Sequence, residues 1–330
     1  MDLTNVNRRV SVIIPLKADN DYIRETLGHL RQVDYPNFEI LLLPDESTDW
    51  GDDVRVIPTG SVGPAIKRDM AFEYATGDVL AFLDDDAYPA RDWLTNAMRY
   101  FEDPTVAAVG GPAVTPESDT PMQRASGYVF ASLLGGGNYA YRYIPQSPRE
   151  VDDYPTCNLL VRRVDFEAVG GFDTRFWPGE DTKLCLDLTQ GLGKKIIYAP
   201  DVVAYHHRRA LFGPHLRQVR SYALHRGYFA KRFPETSLRP SYFLPSLLLT
   251  GLVCGALSSL FTTALVPFYG LGVGSYLLAT VVSAAHTSRS FLLTLLVAAG
   301  IVATHIVYGI WFPVGLLAPK LSEEFKEDHL

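Results

Sequence analysis

Three consecutive aspartates, Asp84-Asp85-Asp86, close the apolar run Val79–Leu83. A run of this kind reads as a buried strand. Three like charges at its end repel one another, and burying them is costly unless a cation compensates. Oxygen donors clustered this tightly suit Mg2+ or Mn2+, above all where substrate phosphates complete the shell. By itself the triplet reads equally well as an acidic loop that caps the next helix, since Asp is a good N-cap. A second acidic pair, Glu180-Asp181, follows Gly179. Taken alone it fits the first turn of a helix, where carboxylates meet the positive end of the dipole. His206-His207 follow the strand-like run Val202–Tyr205 and precede Arg208-Arg209. Their position leaves two uses open, metal ligation or a basic surface.

The elements that must hold these residues alternate. Val10–Ile14 reads as a first strand ended by Pro15. Asp21–Gln32 reads as a helix that Asn20 or Asp21 can cap. Phe38–Leu43 and Val54–Ile57 read as strands, and Gly63–Ala75 as a helix with Pro64 near its start. Val79–Leu83 is the fourth strand, Arg91–Phe101 a helix and Thr105–Val109 a further strand. Alternation of this kind predicts an α/β domain with a mostly parallel sheet flanked by helices. Ligands of such sheets sit outside the carboxyl ends of the strands. Pro15–Lys17, Pro44–Ser47 and Asp84–Asp86 all fall at such ends, so they are expected to converge. The first strand is followed by neither GxGxxG nor GxxxxGK[ST], which weighs against dinucleotide oxidoreductases and P-loop enzymes. Gly135-Gly136-Gly137 reads as a flexible loop near the site.

The 330 residues exceed one ordinary domain. Composition divides them. Residues 1–204 carry mixed charge and form the expected catalytic domain. The stretch 205–240 is basic, with Arg208, Arg209, Arg217, Arg220, Arg226, Lys231, Arg232 and Arg239 against Glu235. Leu211, Phe212, Leu216, Val219, Tyr222, Phe229 and Phe233 interleave with these cations, as in helices lying on an anionic membrane surface. Residues 241–319 carry one formal charge, Arg289. They contain three apolar segments, about 243–266, 268–285 and 291–317, each near the roughly 20 residues that cross a bilayer. Residues 320–330 form a charged tail. Basic flanks stay cytoplasmic, so the expectation is a multi-pass protein of the cell membrane with its catalytic domain facing the cytoplasm. Three spans put the tail outside; a re-entrant first pair returns it inside. Membrane lipids are thus an expected partner and nucleic acid is not, the net charge being −7. Met1–Arg9 shows no signal peptide. Cys157, Cys185 and Cys254 lack CxxC spacing and read as reduced, buried thiols.

Several motifs now fall into one register: Val10–Pro15 (VSVIIP), Pro44–Asp49 (PDESTD), Lys67-Arg68-Asp69, Gly77-Asp78 leading to Phe82–Asp86 (FLDDD), Gly170–Phe172 (GGF) and Gly179–Leu184 (GEDTKL). Together they resemble the inverting family-2 glycosyltransferases with the Rossmann-like GT-A fold, over about residues 10–205. The membrane-anchored C-terminus is similar to members that build polysaccharides or lipid-linked glycans. The resemblance implies a nucleotide-sugar donor, a lipid-linked or glycan acceptor, and Mn2+ or Mg2+. It puts Asp45 at the nucleotide base and Pro15 on the wall of that pocket. Asp84 and Asp86 match the ends of the DXD motif: Asp84 lies toward the donor ribose with Asp85 beside it on the donor side, and Asp86 binds the metal. Asp181, beside Glu180, matches the catalytic base, and Arg68 a basic residue beside the donor. His206 corresponds to a histidine that completes the metal shell in several relatives. Trp177, just before Gly179-Glu180-Asp181, reads as a ring that stacks on an acceptor sugar or packs in the core, and Asn158 matches a position near donor and acceptor.

Two departures stand out. The QxxRW signature of long-polymer synthases is missing from Leu216–Tyr222, which points to transfer of one sugar per encounter. Asp69 stands where relatives often carry Asn, and is expected to pair with Arg68 or Lys67. A variant of the reading is a polyprenyl-phosphate (dolichol-phosphate type) sugar synthase. Its acceptor is already ionised and needs no base, so an intact Glu-Asp pair favours transfer to a hydroxyl. A nucleotidyltransferase would need a phosphate loop that is absent. A non-enzymatic membrane scaffold would tolerate loss of Asp86 or Asp181, and both are present.

Overall fold

The structure is a computed structural model that describes residues 8–47, 49–172, 179–288 and 290–321. It forms two compact units, one of Met1–Val114 and Ile144–His207, the other of Thr115–Tyr143 and Arg208–Leu330.

Among the described residues the first unit carries eleven strands: β1 Val10–Pro15, β2 Phe38–Leu43, β3 Arg55–Val56, β4 Val79–Leu83, β5 Ala87–Pro89, β6 Val106–Gly110, β7 Ala113–Val114, β8 Arg149–Val151, β9 Asn158–Arg162, β10 Lys195–Tyr198 and β11 Ala204–His206. Eight of them form one sheet in the order β3-β2-β1-β4-β9-β6-β10-β8. The half built from β3, β2, β1 and β4 is parallel. β9 runs antiparallel between β4 and β6. The α/β expectation therefore holds, with an antiparallel insertion that alternation alone did not indicate. β1 and β4 are buried on both faces, which is why β4 reads as an unbroken apolar run and β1 as one broken only by the buried Ser11. One face packs Val12, Ile14, Ile40, Leu42 and Ala81 against Ile23, Leu27, Trp93, Leu94 and Phe101. On the other face Phe82 meets Phe166 and Phe172 with centroids 5.7 and 5.3 Å away.

Helix boundaries follow local chemistry. Asn20 caps the helix Asp21–Leu30, its Oδ1 accepting the Ile23 N–H at 3.1 Å. Pro64 opens the helix Pro64–Phe72. A second, smaller sheet runs β5-β11-β7. Its register pairs His206 with Ala87, the residue directly after the aspartate triplet. Gly111 permits this sheet to approach: a Cβ there would lie 1.7 Å from the Val202 carbonyl oxygen.

The second unit is helical. Thr120 and Gln123 form a capping box on the helix Pro121–Ala131. Gly135-Gly136-Gly137, expected as a flexible loop, lies in the short helix Leu133–Gly136 and the 3-10 helix that follows. Ser132 caps the turn by accepting the Gly135 N–H at 3.0 Å. The Leu134 N–H donates to Ser283 Oγ at 3.1 Å and fixes the segment to the apolar helices. The basic stretch becomes β11, then the helices Gly213–Arg232 and Pro234–Ser237. Among the described residues three helices follow that are long and apolar enough to cross a membrane: Pro240–Phe261, Thr263–Thr287 and Phe291–Leu317. Arg289 lies outside the described residues. Cys157 and Cys185 are buried as expected, whereas Cys254 is exposed on an apolar helix.

Candidate active site

The carboxyl ends of β1, β2 and β4 meet at a chain of charged side chains. The helix Pro64–Phe72 supplies its centre. Lys67 and Arg68 are each only 3% exposed. Lys67 Nζ donates to the carbonyls of Leu16 at 2.7 Å and Leu43 at 3.1 Å, and to Asp45 Oδ1 at 2.5 Å. The Lys67 ammonium thereby holds the Asp45 carboxyl below its ordinary range. Pro15 is buried at the end of β1, paired with Leu43. Arg68 reaches the other way, to Asp84 Oδ1 at 2.8 Å and Glu180 Oε1 at 3.2 Å. Its guanidinium also lies 5.9 Å from the Phe172 ring centroid. Arg68 Nε is buried and has no partner among the described residues. A buried cation between two carboxylates is costly to dismantle, because removing one partner strands the others.

The aspartate triplet is divided by its surroundings. Asp84 and Asp86 are partly exposed, at 32% and 37% of their side chains. Asp85 Oδ2 accepts a hydrogen bond from Asn20 Nδ2 at 3.1 Å. Burial, with the Asp86 charge beside it, raises Asp85 to about 6. β11 places His206 Nε2 3.0 Å from Asp86 Oδ1. Asp84, Asp86 and His206 each offer a ligand atom, all within 4.8 Å of one another. His207 turns from this cluster: its Nε2 lies 3.0 Å from Glu25 Oε2, and its ring packs on Tyr22 and Tyr88. Its backbone N–H donates to the Asp86 carbonyl at 3.0 Å.

Glu180 and Asp181 open the helix Glu180–Leu186. Gly179, with φ of 137°, makes the turn into it. Glu180 is buried and accepts the Gly179 N–H at 2.9 Å as well as Arg68. Asp181 is partly exposed, and its Oδ1 accepts the Thr182 N–H at 2.8 Å. Asp69, expected to pair with Arg68 or Lys67, accepts the Phe172 N–H at 2.9 Å instead.

Asn158 stands apart from these. It is fully buried at the start of β9 and donates to the carbonyls of Gly111 and Val202, both at 2.8 Å. Its Oδ1 accepts from Trp93 Nε1 at 2.8 Å. The amide therefore clamps the two sheets together. Trp177 lies outside the described residues. Lys67 was expected only as a partner for Asp69; the close approach of β1 and β2 makes it a partner for Asp45 instead. Sequence reasoning passed over the link from Asn20 to Asp85, although Asn20 was visible as a helix cap.

The comparisons with known proteins bear on this arrangement. A mannosyltransferase from Pyrobaculum calidifontis, solved with GDP-Man and Mn2+, superposes with a TM-score of 0.54. The alignment covers 94% of this chain and 87% of that one at 22% identity, a likeness of fold. The fold is GT-A. Residues 11–170 match the family described as Glycosyl transferase family 2, so this chain carries a family-2 glycosyltransferase domain. The pre-mycofactocin glycosyltransferase of Mycobacterium tuberculosis is 31% identical over 218 residues, 62% of this chain and 44% of that protein. The chain thus spans less than half of that relative's length. The glucosyl-dolichyl phosphate glucuronosyltransferase of Haloferax volcanii is 25% identical over 211 residues, covering 58% of this chain and 66% of that protein.

Proposed function

We propose that this protein is a membrane-bound, divalent-metal-dependent, inverting glycosyltransferase. It moves a sugar from a nucleotide-sugar to a hydroxyl of a lipid-linked or nascent glycan. One observation carries the reading. Asp84, Asp86 and His206 cluster within 4.8 Å, and Arg68 ties Asp84 to Glu180, the neighbour of Asp181.

Two carboxylates and an imidazole suit an ion of the Mn2+ or Mg2+ class, and a set of three leaves positions for phosphate oxygens. Asp84, Asp86 and His206 would hold that ion, which when bound supplies Lewis-acid neutralisation of charge growing on the departing diphosphate. Asp45, kept ionised by Lys67, offers only acceptor oxygens to the nucleotide base, with Pro15 on the pocket wall. Arg68 and Asp85 border the donor. An acceptor hydroxyl is a weak acid, so a positioned base must take its proton as it attacks. Asp181 takes that proton from the face opposite the leaving diphosphate, which inverts the anomeric centre. Glu180 holds the opening of the helix against Arg68 and keeps Asp181 in place. The three apolar helices support a membrane location. The Haloferax relative, whose name specifies a lipid-linked sugar, supports a lipid-linked acceptor.

The test is nucleotide release by the detergent-purified full chain against a panel of UDP-, GDP- and dTDP-sugars with Mn2+ or Mg2+ and a lipid extract. One donor should turn over, and both chelation and Asp86→Ala should abolish the turnover. Turnover indifferent to both would sink the metal assignment. Full activity of Asp181→Ala on lipid acceptor would replace the hydroxyl acceptor by a polyprenyl phosphate.

A further inference from the structure

The third apolar helix touches the other two, Ser246 Oγ donating to the Gly309 carbonyl at 3.0 Å and Tyr276 Oη lying 2.9 Å from His305 Nδ1, but it also packs on a charged helix. Residues 304–318 of the helix Phe291–Leu317 and its exit run alongside the basic helix Gly213–Arg232. His215 Nε2 lies 2.9 Å from Thr304 Oγ1. A Cβ at Gly227 would come 2.1 Å from the Phe312 carbonyl oxygen, and one at Gly315 would come 1.8 Å from that of Leu224. Lys231 Nζ donates to the Ala318 carbonyl. The two helices are therefore parallel neighbours, locked by glycines on both sides. Farther back, Leu293, Val297 and Ile301 pack with Ala125 and Val129 of the helix Pro121–Ala131. One side of the third helix is thus flanked along its length, while Leu292, Ile306, Ile310, Val314 and Leu317 on it stay exposed.

The flanking helix is charged. Arg217, Arg220, Lys231 and Arg232 are exposed on it, and Arg220 lies 3.8 Å from the Trp311 ring centroid. His215 aligns with Thr304, so Arg217 falls near the middle of the third helix. Were that helix to cross the bilayer, Arg217 would sit near its centre, where cations are expelled. The residues before Thr304 number 13 in that helix and reach only about 20 Å, short of a hydrocarbon core of about 30 Å. An arginine stacked on a tryptophan instead suits the headgroup layer.

The first two apolar helices differ. Their most apolar stretches are 0% and 6% buried, against 33% for the third. Leu247, Leu257, Phe261, Phe268, Leu271 and Leu278 point outward. Each helix is long enough to cross, at about 33 Å or more.

We infer that Pro240–Phe261 and Thr263–Thr287 form a hairpin that crosses the membrane twice. Phe291–Leu317 and Gly213–Arg232 lie side by side in the headgroup layer of one leaflet, with anionic lipid as the partner of the arginines. The chain therefore leaves the membrane on the side where it entered. This rests on the membrane location proposed above.

Single cysteines test it in the full chain, with Cys157, Cys185 and Cys254 replaced by serine and donor turnover checked as a sign of folding. Thr262→Cys and Lys320→Cys are probed with a membrane-impermeant maleimide on inside-out and right-side-out vesicles. Thr262→Cys should label from one face and Lys320→Cys at least tenfold better from the other. Labelling of both from the face opposite the catalytic domain would establish three crossings and overturn the inference. Labelling of both from the catalytic side would overturn the crossing hairpin. Release of the protein by alkaline carbonate would instead remove the membrane location itself.

Discussion

Cations are handled in two ways in this molecule. In the first unit Lys67 and Arg68 are buried and meet carboxylates, Asp45 on one side and Asp84 with Glu180 on the other. In the second unit Arg220, Arg226 and Lys231 lie on the rings of Trp311, Tyr242 and Tyr228. The first arrangement fixes charge in a place where charge is to be moved, because paired groups in a water-poor site are held in advance of the reaction. The second lets a charged head reach water or headgroups while its stem covers apolar surface. The partner, more than the cation, tells these two sets of residues apart.

The comparison can be broken or sharpened by substitution. The largest effect is expected at the acidic cluster. Asp86→Ala should lower donor turnover by about a thousandfold or more, with unchanged melting temperature, since Asp86 is partly exposed and fits charge stabilisation of that size. Asp181→Asn should lower kcat by roughly 10²–10⁴-fold, the range of general-base catalysis, and leave donor KM nearly unchanged. Arg68→Met should destabilise the catalytic unit by about 3–5 kcal/mol, because it strands the buried Glu180 carboxylate beside Asp84. Melting of that unit reads this directly.

The second unit should respond to pH. His215 is buried between Ser126 Oγ, at 2.8 Å, and Thr304 Oγ1. Burial pushes it down to about 4. The unfolded chain would therefore take up a proton below about pH 6.5 that the folded chain refuses. The stabilisation is fully present above that pH and is lost as pH falls toward 4, by about 2 kcal/mol at pH 5. Melting in detergent at pH 7.5 and pH 5 should show the loss, and His215→Gln should flatten it. The smallest effect is expected for Arg220→Ala, about 0.5–1 kcal/mol for a cation on an exposed ring.

The sequence made the strand–helix alternation legible because β1, β2 and β4 are apolar but for Ser11 and Glu39 and stop at or just before Pro15, Pro44 and Asp84. It did not reveal β9 running antiparallel between β4 and β6, since an apolar strand such as Asn158–Arg162 reads the same in either direction. The carboxyl-end convergence was legible: Asp45 N–H donates to the Lys17 carbonyl at 3.0 Å, and Asn20 joins Asp85. The short sheet that carries His206 to Asp86 was not, because strands of two or three residues leave no periodicity to read. Nor was Arg68 visible as the link from Asp84 to Glu180. That contact spans 112 residues and exists only once the helix Pro64–Phe72 has docked beneath both.

The most direct test of the account is Mn2+ binding followed by electron paramagnetic resonance, with and without a nucleoside diphosphate. The wild-type chain should bind one Mn2+ much more tightly when the diphosphate is present, and Asp86→Ala and His206→Ala should each weaken it tenfold or more. Equal binding by wild type and both variants would contradict a metal centre at Asp84, Asp86 and His206.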